Sequence, residues 1–174
     1  MDFQTIATSS LVAAVISILL NQAFEWRKRA ATARAQLLGI QLELAHAERC
    51  ATAYLNDSTG HPWAPGYRIA TEYLRSGIMT LAASGALRDT EAEHLHLLYV
   101  DAEEANRSLE LLAQCASNPT PTHGVAARLG VPMMLISESS RARMKFKNVL
   151  DHLPAACSAA ESALERQAWL QAQD

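Results

Sequence analysis

Glycine and proline are scarce in this 174-residue chain, at seven and six, and Val, Ile and Thr form no alternating runs. Collagen-like, disordered and mostly-β classes are excluded by that scarcity. The three cysteines are far apart, so they offer neither an even disulfide framework nor a CxxC metal pair. Aromatic residues amount to 6% and are dispersed, which removes a base-stacking platform. A net charge of −3 removes a general basic surface for nucleic acid. There is no Gly-rich phosphate loop, no Gly-x-Ser-x-Gly elbow and no recognisable acid–base pair of carboxylates, so no cofactor or metal is implied. What the chain does have is alanine, 32 residues of it, set in helical periodicity. The expected fold is all-α.

The sharpest absence is local: Phe3 to Phe24 carries no charge. As a helix this stretch spans about 33 Å, which matches the hydrocarbon layer of a bilayer. Its centre runs from Leu11 to Leu20, and the residues ahead of it, Met1-Asp2-Phe3-Gln4, lack the positive region of a cleaved signal peptide. A retained anchor over residues 1–25 is therefore expected, with residues 26–174 as a helical bundle. Arg27, Lys28, Arg29 and Arg34 follow directly, beside Trp26. By the positive-inside rule this cluster contacts the membrane surface and keeps the body in the cytoplasm, with the short N-terminus outside. Alanine richness and that anchor fit a bacterial inner membrane. Within the span, Thr5, Ser9, Ala13, Ser17 and Asn21 recur every four residues. Such a stripe suits close helix contact, so a homo-oligomer is expected, and in a ring it would line a wet passage.

Four to five helices are expected in all. Trp26, Ala30, Ala33, Leu37, Ile40, Leu44, Ala47, Ala51 and Tyr54 alternate steps of four and three, the seam of a bundle helix continuing from the span. A loop is expected near 58–66 from its Pro and Gly content. A second helix is placed from about Tyr67 to Ser84, stopped by Gly85. Thr90 and Glu93 form a capping box for a third, whose seam is Leu95, Leu98, Ala102, Ala105, Leu109, Leu112 and Ala116. A long loop over 117–131 offers a surface to a protein partner. Pro132 opens a fourth helix to about His152, with Leu135, Ala142, Phe146 and Val149 inward, and Pro154 separates it from an Ala-rich fifth ending near Trp169.

Charge is segregated. Asp89 to Glu110 holds seven acids against Arg107, while Ser139 to Leu150 holds Arg141, Arg143, Lys145 and Lys147 with no acid. The two stretches can meet inside one bundle or between subunits, and the cations also suit an anionic lipid or a phosphorylated ligand. Cys50, Cys115 and Cys157 sit in alanine-rich helices as small apolar fillers. His94 and His96 point about 200° apart on a helix and cannot share one ion. His46 near Glu43 and His152 near Asp151 are surface pairs.

Arg88-Asp89-Thr90-Glu91-Ala92-Glu93-His94 resembles the Arg-(polar)-x4-His motif of HEPN-type ribonucleases. That resemblance implies Arg88 stabilising charge on an RNA phosphate and His94 moving protons, without metal. The same residues also have a plain account as a helix start with acids at its positive end. A second likeness is one of layout. An uncharged span, a basic cluster and a helical body containing Tyr67-Arg68-Ile69-Ala70-Thr71-Glu72-Tyr73 and Leu98-Tyr99-Val100-Asp101-Ala102-Glu103-Glu104-Ala105-Asn106 look like uncharacterised bacterial single-pass inner-membrane proteins. They also look like the membrane accessory proteins of RNA-targeting CRISPR systems, which join a span to a HEPN-like body. The layout likeness implies an oligomeric membrane effector in phage defence. The leading expectation is a non-enzymatic membrane effector or scaffold, with a pore as one form the stripe allows, and the alternative is a membrane-tethered, HEPN-like, metal-independent ribonuclease acting on RNA.

Overall fold

The computed structural model describes residues 3–57, 67–117 and 133–172. The expected loops at 58–66 and 117–131 lie outside the described residues apart from Ser117, as does the partner contact proposed for the second of them. The described residues form four helices and no strand: α1 (Phe3–Asn56), α2 (Glu72–Ala83), α3 (Asp89–Ser117) and α4 (Met133–Ala172). The all-α expectation holds. Among the described residues no helix is long and apolar enough to cross a membrane. Described side chains begin at Val12, so that statement covers only the later part of the uncharged stretch.

α1 is one 54-residue helix, about 81 Å long, because no proline interrupts it and Gly39 is its only glycine. Its two halves differ. Every described side chain from Val12 to Arg29 is exposed, and Ala30 is the first buried one. From there the four-three seam packs as its spacing predicts, with Leu37, Ile40, Leu44, Ala47, Ala51 and Tyr54 buried. Trp26, assigned to that seam, is instead 42% exposed, because the bundle does not reach its turn of the helix.

α4 lies along both α1 and α3, and α2 bridges α1 and α3. The core between them contains Leu95, Leu98, Ala102, Ala105 and Leu112 of α3 and Ala142, Phe146 and Val149 of α4. Ala116, placed on the α3 seam, is exposed near the helix end. Phe146 stacks on Tyr54 with ring centroids 4.2 Å apart, and Tyr67 meets Tyr54 edge-on at 5.3 Å. Burial pushes the Tyr54 hydroxyl up to about 12, against the pull of Arg143 and with Tyr67 adding to the rise.

Three boundaries differ from expectation. α2 starts at Glu72 rather than Tyr67, because side chains of α1 and α3 take the backbone groups of Ile69 and Ala70 that a helix would use. Tyr73 and Ala70, assigned to its apolar side, are exposed, while Leu74, Ile78 and Leu81 are buried. Its end is as expected: Gly85 takes φ +74°, its N–H reaches the Ala82 carbonyl at 3.0 Å, and the Ala86 N–H reaches Leu81 at 2.9 Å. α3 begins at Asp89, one residue before the Thr90 cap position. Glu91, not Glu93, reaches back, accepting the Arg88 N–H at 2.9 Å.

The fourth and fifth expected helices are a single one. Pro154 lies inside α4 without ending it. The proline is exposed while Leu153, Ala156, Ala160 and Ala163 around it are buried, so packing on the inner face holds the helix across the lost hydrogen bond. Replacing Pro154→Ala restores that bond and is expected to raise unfolding stability by about 1–3 kcal/mol in chemical denaturation of the full chain. No gain would mean that α4 is broken there.

Candidate functional site

The strap at 68–71 crosses the junction of α1 and α3, and both helices hold it by its backbone. Asn106 of α3 accepts the Ile69 N–H and donates to the Ile69 carbonyl, each at 2.9 Å, as a neighbouring strand would. Glu43 of α1 accepts the N–H groups of Tyr73 and Leu74, both at 2.8 Å. The Thr71 side chain makes no cap hydrogen bond to α2, so the remote carboxylate satisfies the orphan donors of its first turn. The Thr71 hydroxyl donates instead to Glu103 at 2.5 Å. His46 accepts the Ala70 N–H at 3.4 Å, and its ring touches the Cys50 sulfur.

A groove of about 630 Å³ opens beside the strap, lined among others by His46, Arg68, Thr71, Tyr73, Arg75 and Glu103. Its wall is tight where the Tyr73 ring lies over Gly39, since a Cβ there would meet the ring at 2.4 Å. Arg68 faces Glu110 at 3.6 Å. Burial pushes the Cys50 thiol up despite the nearby Arg49. Cys157 is raised likewise by burial, then by Glu161 and Glu48. The groove is polar and braced, and its Glu43 and Asn106 are committed to holding backbone. Among the described residues no group of three or more His, Cys, Asp or Glu is placed to hold a metal ion.

Arg88 and His94 are both exposed. Arg88 lines an open cleft of about 450 Å³ with Ser162, Glu165, Arg166 and Trp169; His94 does not. Arg88 immediately precedes α3 and His94 lies in its second turn, so the helical rise sets the two about 9 Å apart along the axis. The strongest electrostatic feature nearby is different. Arg166 forks onto both oxygens of the buried Glu91, one of them at 2.5 Å, and reaches the Ala86 carbonyl at 3.3 Å. Burial alone would raise the Glu91 carboxyl, but the Arg166 hydrogen bonds, the Arg88 N–H and both guanidinium charges hold it below the usual range. Arg166 is raised in turn, chiefly by its bond to Glu91.

The segregated charges meet inside the bundle. Lys145 contacts Glu104, and His152 donates from Nδ1 to Asp101 at 2.5 Å, so the partner of His152 lies across the helix interface and not at Asp151. Arg143 donates to the Leu55 carbonyl at 2.8 Å, closing the C-terminal end of α1, and Arg141 faces Glu138 at 3.8 Å. Lys147 is exposed. Of the expected anion cluster, Arg141 and Lys145 share a cleft of about 270 Å³ with Arg107, and Arg143 and Lys147 do not line it.

Arg27, Lys28, Arg29 and Arg34 are all exposed where α1 leaves the bundle. Thr5, Ser9 and Ala13 lie within α1, but their side chains are outside the described residues; Ser17 and Asn21 are exposed. Glu43, Glu91, Asp101 and Asn106 are the residues that sequence reasoning missed as latches. Asn106 had a signal, because it shares the inward face with Ala102, Ala105 and Leu109, where an amide needs a partner. Comparison of the chain with protein-family models, curated proteins and solved structures finds no match.

Two outcomes test these latches. Asn106→Ala strands both Ile69 groups and is expected to cost about 2–4 kcal/mol of unfolding free energy, while an unchanged value would remove the clamp from the account. Because the native Glu91 carboxyl is depressed, its contribution is full above the unfolded value of 4.5 and is lost as pH falls through the native one. Stability of wild type should therefore fall more steeply below about pH 4.5 than that of Glu91→Gln, and parallel acid profiles would contradict the pairing.

Proposed function

We propose that the chain is a single-pass membrane protein whose cytoplasmic helical bundle self-associates, acting as a non-enzymatic membrane effector or scaffold. The observation that carries this reading is the outer half of α1. Val15, Ile16, Ile18, Leu19, Leu20 and Phe24 are exposed over about two thirds of the helix circumference, with Phe24 at 68% and Leu20 at 66%, and Ser17 and Asn21 take the remaining face. Leaving six such side chains in water forfeits on the order of 10 kcal/mol of transfer free energy. That rivals the whole stability of a domain this size, so the segment calls for an apolar surrounding. An apolar arc this broad suits lipid better than a single protein groove. The exposed cations at 27–29 and 34 sit where a headgroup layer would lie, which orients the body to the cytoplasmic face of a bacterial inner membrane.

The metal-independent ribonuclease reading draws less support, because His94 lies outside the cleft that Arg88 lines and acids crowd the start of α3. The anchor is tested by fractionating cells that express the full chain. Wild type is expected in the membrane fraction, resistant to alkaline carbonate and released by detergent, whereas Leu19→Arg with Leu20→Arg shifts most of it to the soluble fraction. Soluble wild type would overturn the reading. A voltage-sensitive dye in the same cells separates an effector, which collapses membrane potential, from a scaffold, which leaves it intact.

A further inference from the structure

The buried seam of α1 has a counterpart on the opposite face. Ala31, Ala35, Leu38, Leu42 and Ala45 also step by four and three, and all are exposed, Leu42 at 72%. The same spacing continues toward the N-terminus through Lys28, Phe24, Asn21 and Ser17 and toward the C-terminus to Arg49, every one exposed, with polar side chains at four of those five positions. We infer that this outer face is a parallel, two-stranded coiled-coil seam and that its occupant is a second copy of this chain.

The partner follows from the pattern. Knobs-into-holes packing needs a facing helix with the same repeat over the same length. Among the described residues no other helix exposes an apolar four-three run as long as the five positions from Ala31 to Ala45: on α3, Leu97 and Val100 give way to Glu103 and Glu104, and on α4, Met144 gives way to Lys147 and Asp151. α1 itself supplies the match, and a surface that is its own complement closes on a two-fold axis.

Direction follows from the polar layers. In a parallel pair each layer meets itself, so Asn21 faces Asn21, the polar layer that fixes register and strand number. The flanking positions then set Arg34 beside Gly39 and Gln41 beside His46 of the second copy, with no like charges opposed at those two pairs. Lys28 faces Lys28 and Arg49 faces Arg49, and their long stems carry the charged groups outward. A full antiparallel overlap would instead set Lys28 against Leu38 and leave Asn21 against Ala45. Alanine at 31, 35 and 45 lets the two axes come close, and the leucines between them supply the apolar area. The inference rests on the self-association proposed above and deepens it by naming the surface. A common membrane at the same end of both helices requires this same direction.

The test uses the full chain in detergent. Light scattering is expected to give the mass of two copies for wild type and of one for Leu38→Glu with Leu42→Glu. Both side chains are exposed, so helical circular dichroism should be unchanged in that variant. For direction, Ala45→Cys is oxidised in a Cys115→Ser, Cys157→Ser background, where a disulfide between identical positions is expected. Linkage only to an Asn21→Cys partner would overturn the parallel arrangement. A double-glutamate variant that stays dimeric, or a monomeric wild type that still fractionates with membrane, would overturn the seam while leaving the anchor standing. A wild-type dimer in the soluble fraction would retain the seam and overturn the anchor.

Discussion

Continuity of α1 is the constraint on which the rest depends. A helix without proline and with a single glycine carries its register across some 54 residues, so the placement of Leu37 and Ile40 in the core also determines where Leu20 and Phe24 point. The same rod meets two surroundings. Beyond Ala30 it is the packed wall of a bundle, and before it no described side chain is covered. Hydrophobic gain follows covered area, so one half of the helix completes its stabilisation within the chain and the other does not. Its position in a bilayer and its pairing with a second α1 are the two proposals that supply the missing cover.

Alanine dominates the body, and alanine buries little area per residue. The core is anchored by a few larger groups, Tyr54, Phe146, Leu37 and Ile40 among them. Directional polar contacts do much of the remaining work of specifying how the helices meet. Asn106 imitates a neighbouring strand for Ile69, Glu43 caps a helix to which it does not belong, and Glu91 with Arg166 ties the start of α3 to the end of α4. Each joins elements distant in sequence, so each constrains the register of two helices at once. Buried polar groups are costly unless satisfied, which makes such latches specific as well as stabilising.

Periodicity was legible in the sequence wherever one face of a helix meets the core over several turns. The α1 seam from Ala30 to Tyr54, the α3 seam to Leu112 and the Gly85 stop all follow from spacing and backbone preference. Legibility failed where tertiary contact overrides a local rule. Pro154 has the local chemistry of a helix break, yet apolar packing on its inner side carries α4 through it. The strap at 68–71 has helical composition, yet Asn106, 37 residues from Ile69, takes up the Ile69 backbone groups and keeps them out of a helix. Arg88 and His94 share a short motif, but only Arg88 faces the nearby cleft. The outer repeat of α1 is present in the sequence too. It becomes visible only once the structure shows which of two interleaved four-three patterns the bundle has already used.

The most direct measurement is the surrounding of the outer half of α1 in a bilayer. Spin labels placed one at a time at Ile16, Leu19 and Leu20 of the reconstituted full chain report collisions with oxygen, which dissolves in lipid, and with a water-soluble nickel chelate. The account predicts oxygen-dominated collisions at all three, and chelate-dominated collisions for a control label at the exposed Ser158. Collisions at Ile16, Leu19 and Leu20 that match the Ser158 label would place the apolar half of α1 in water and contradict it.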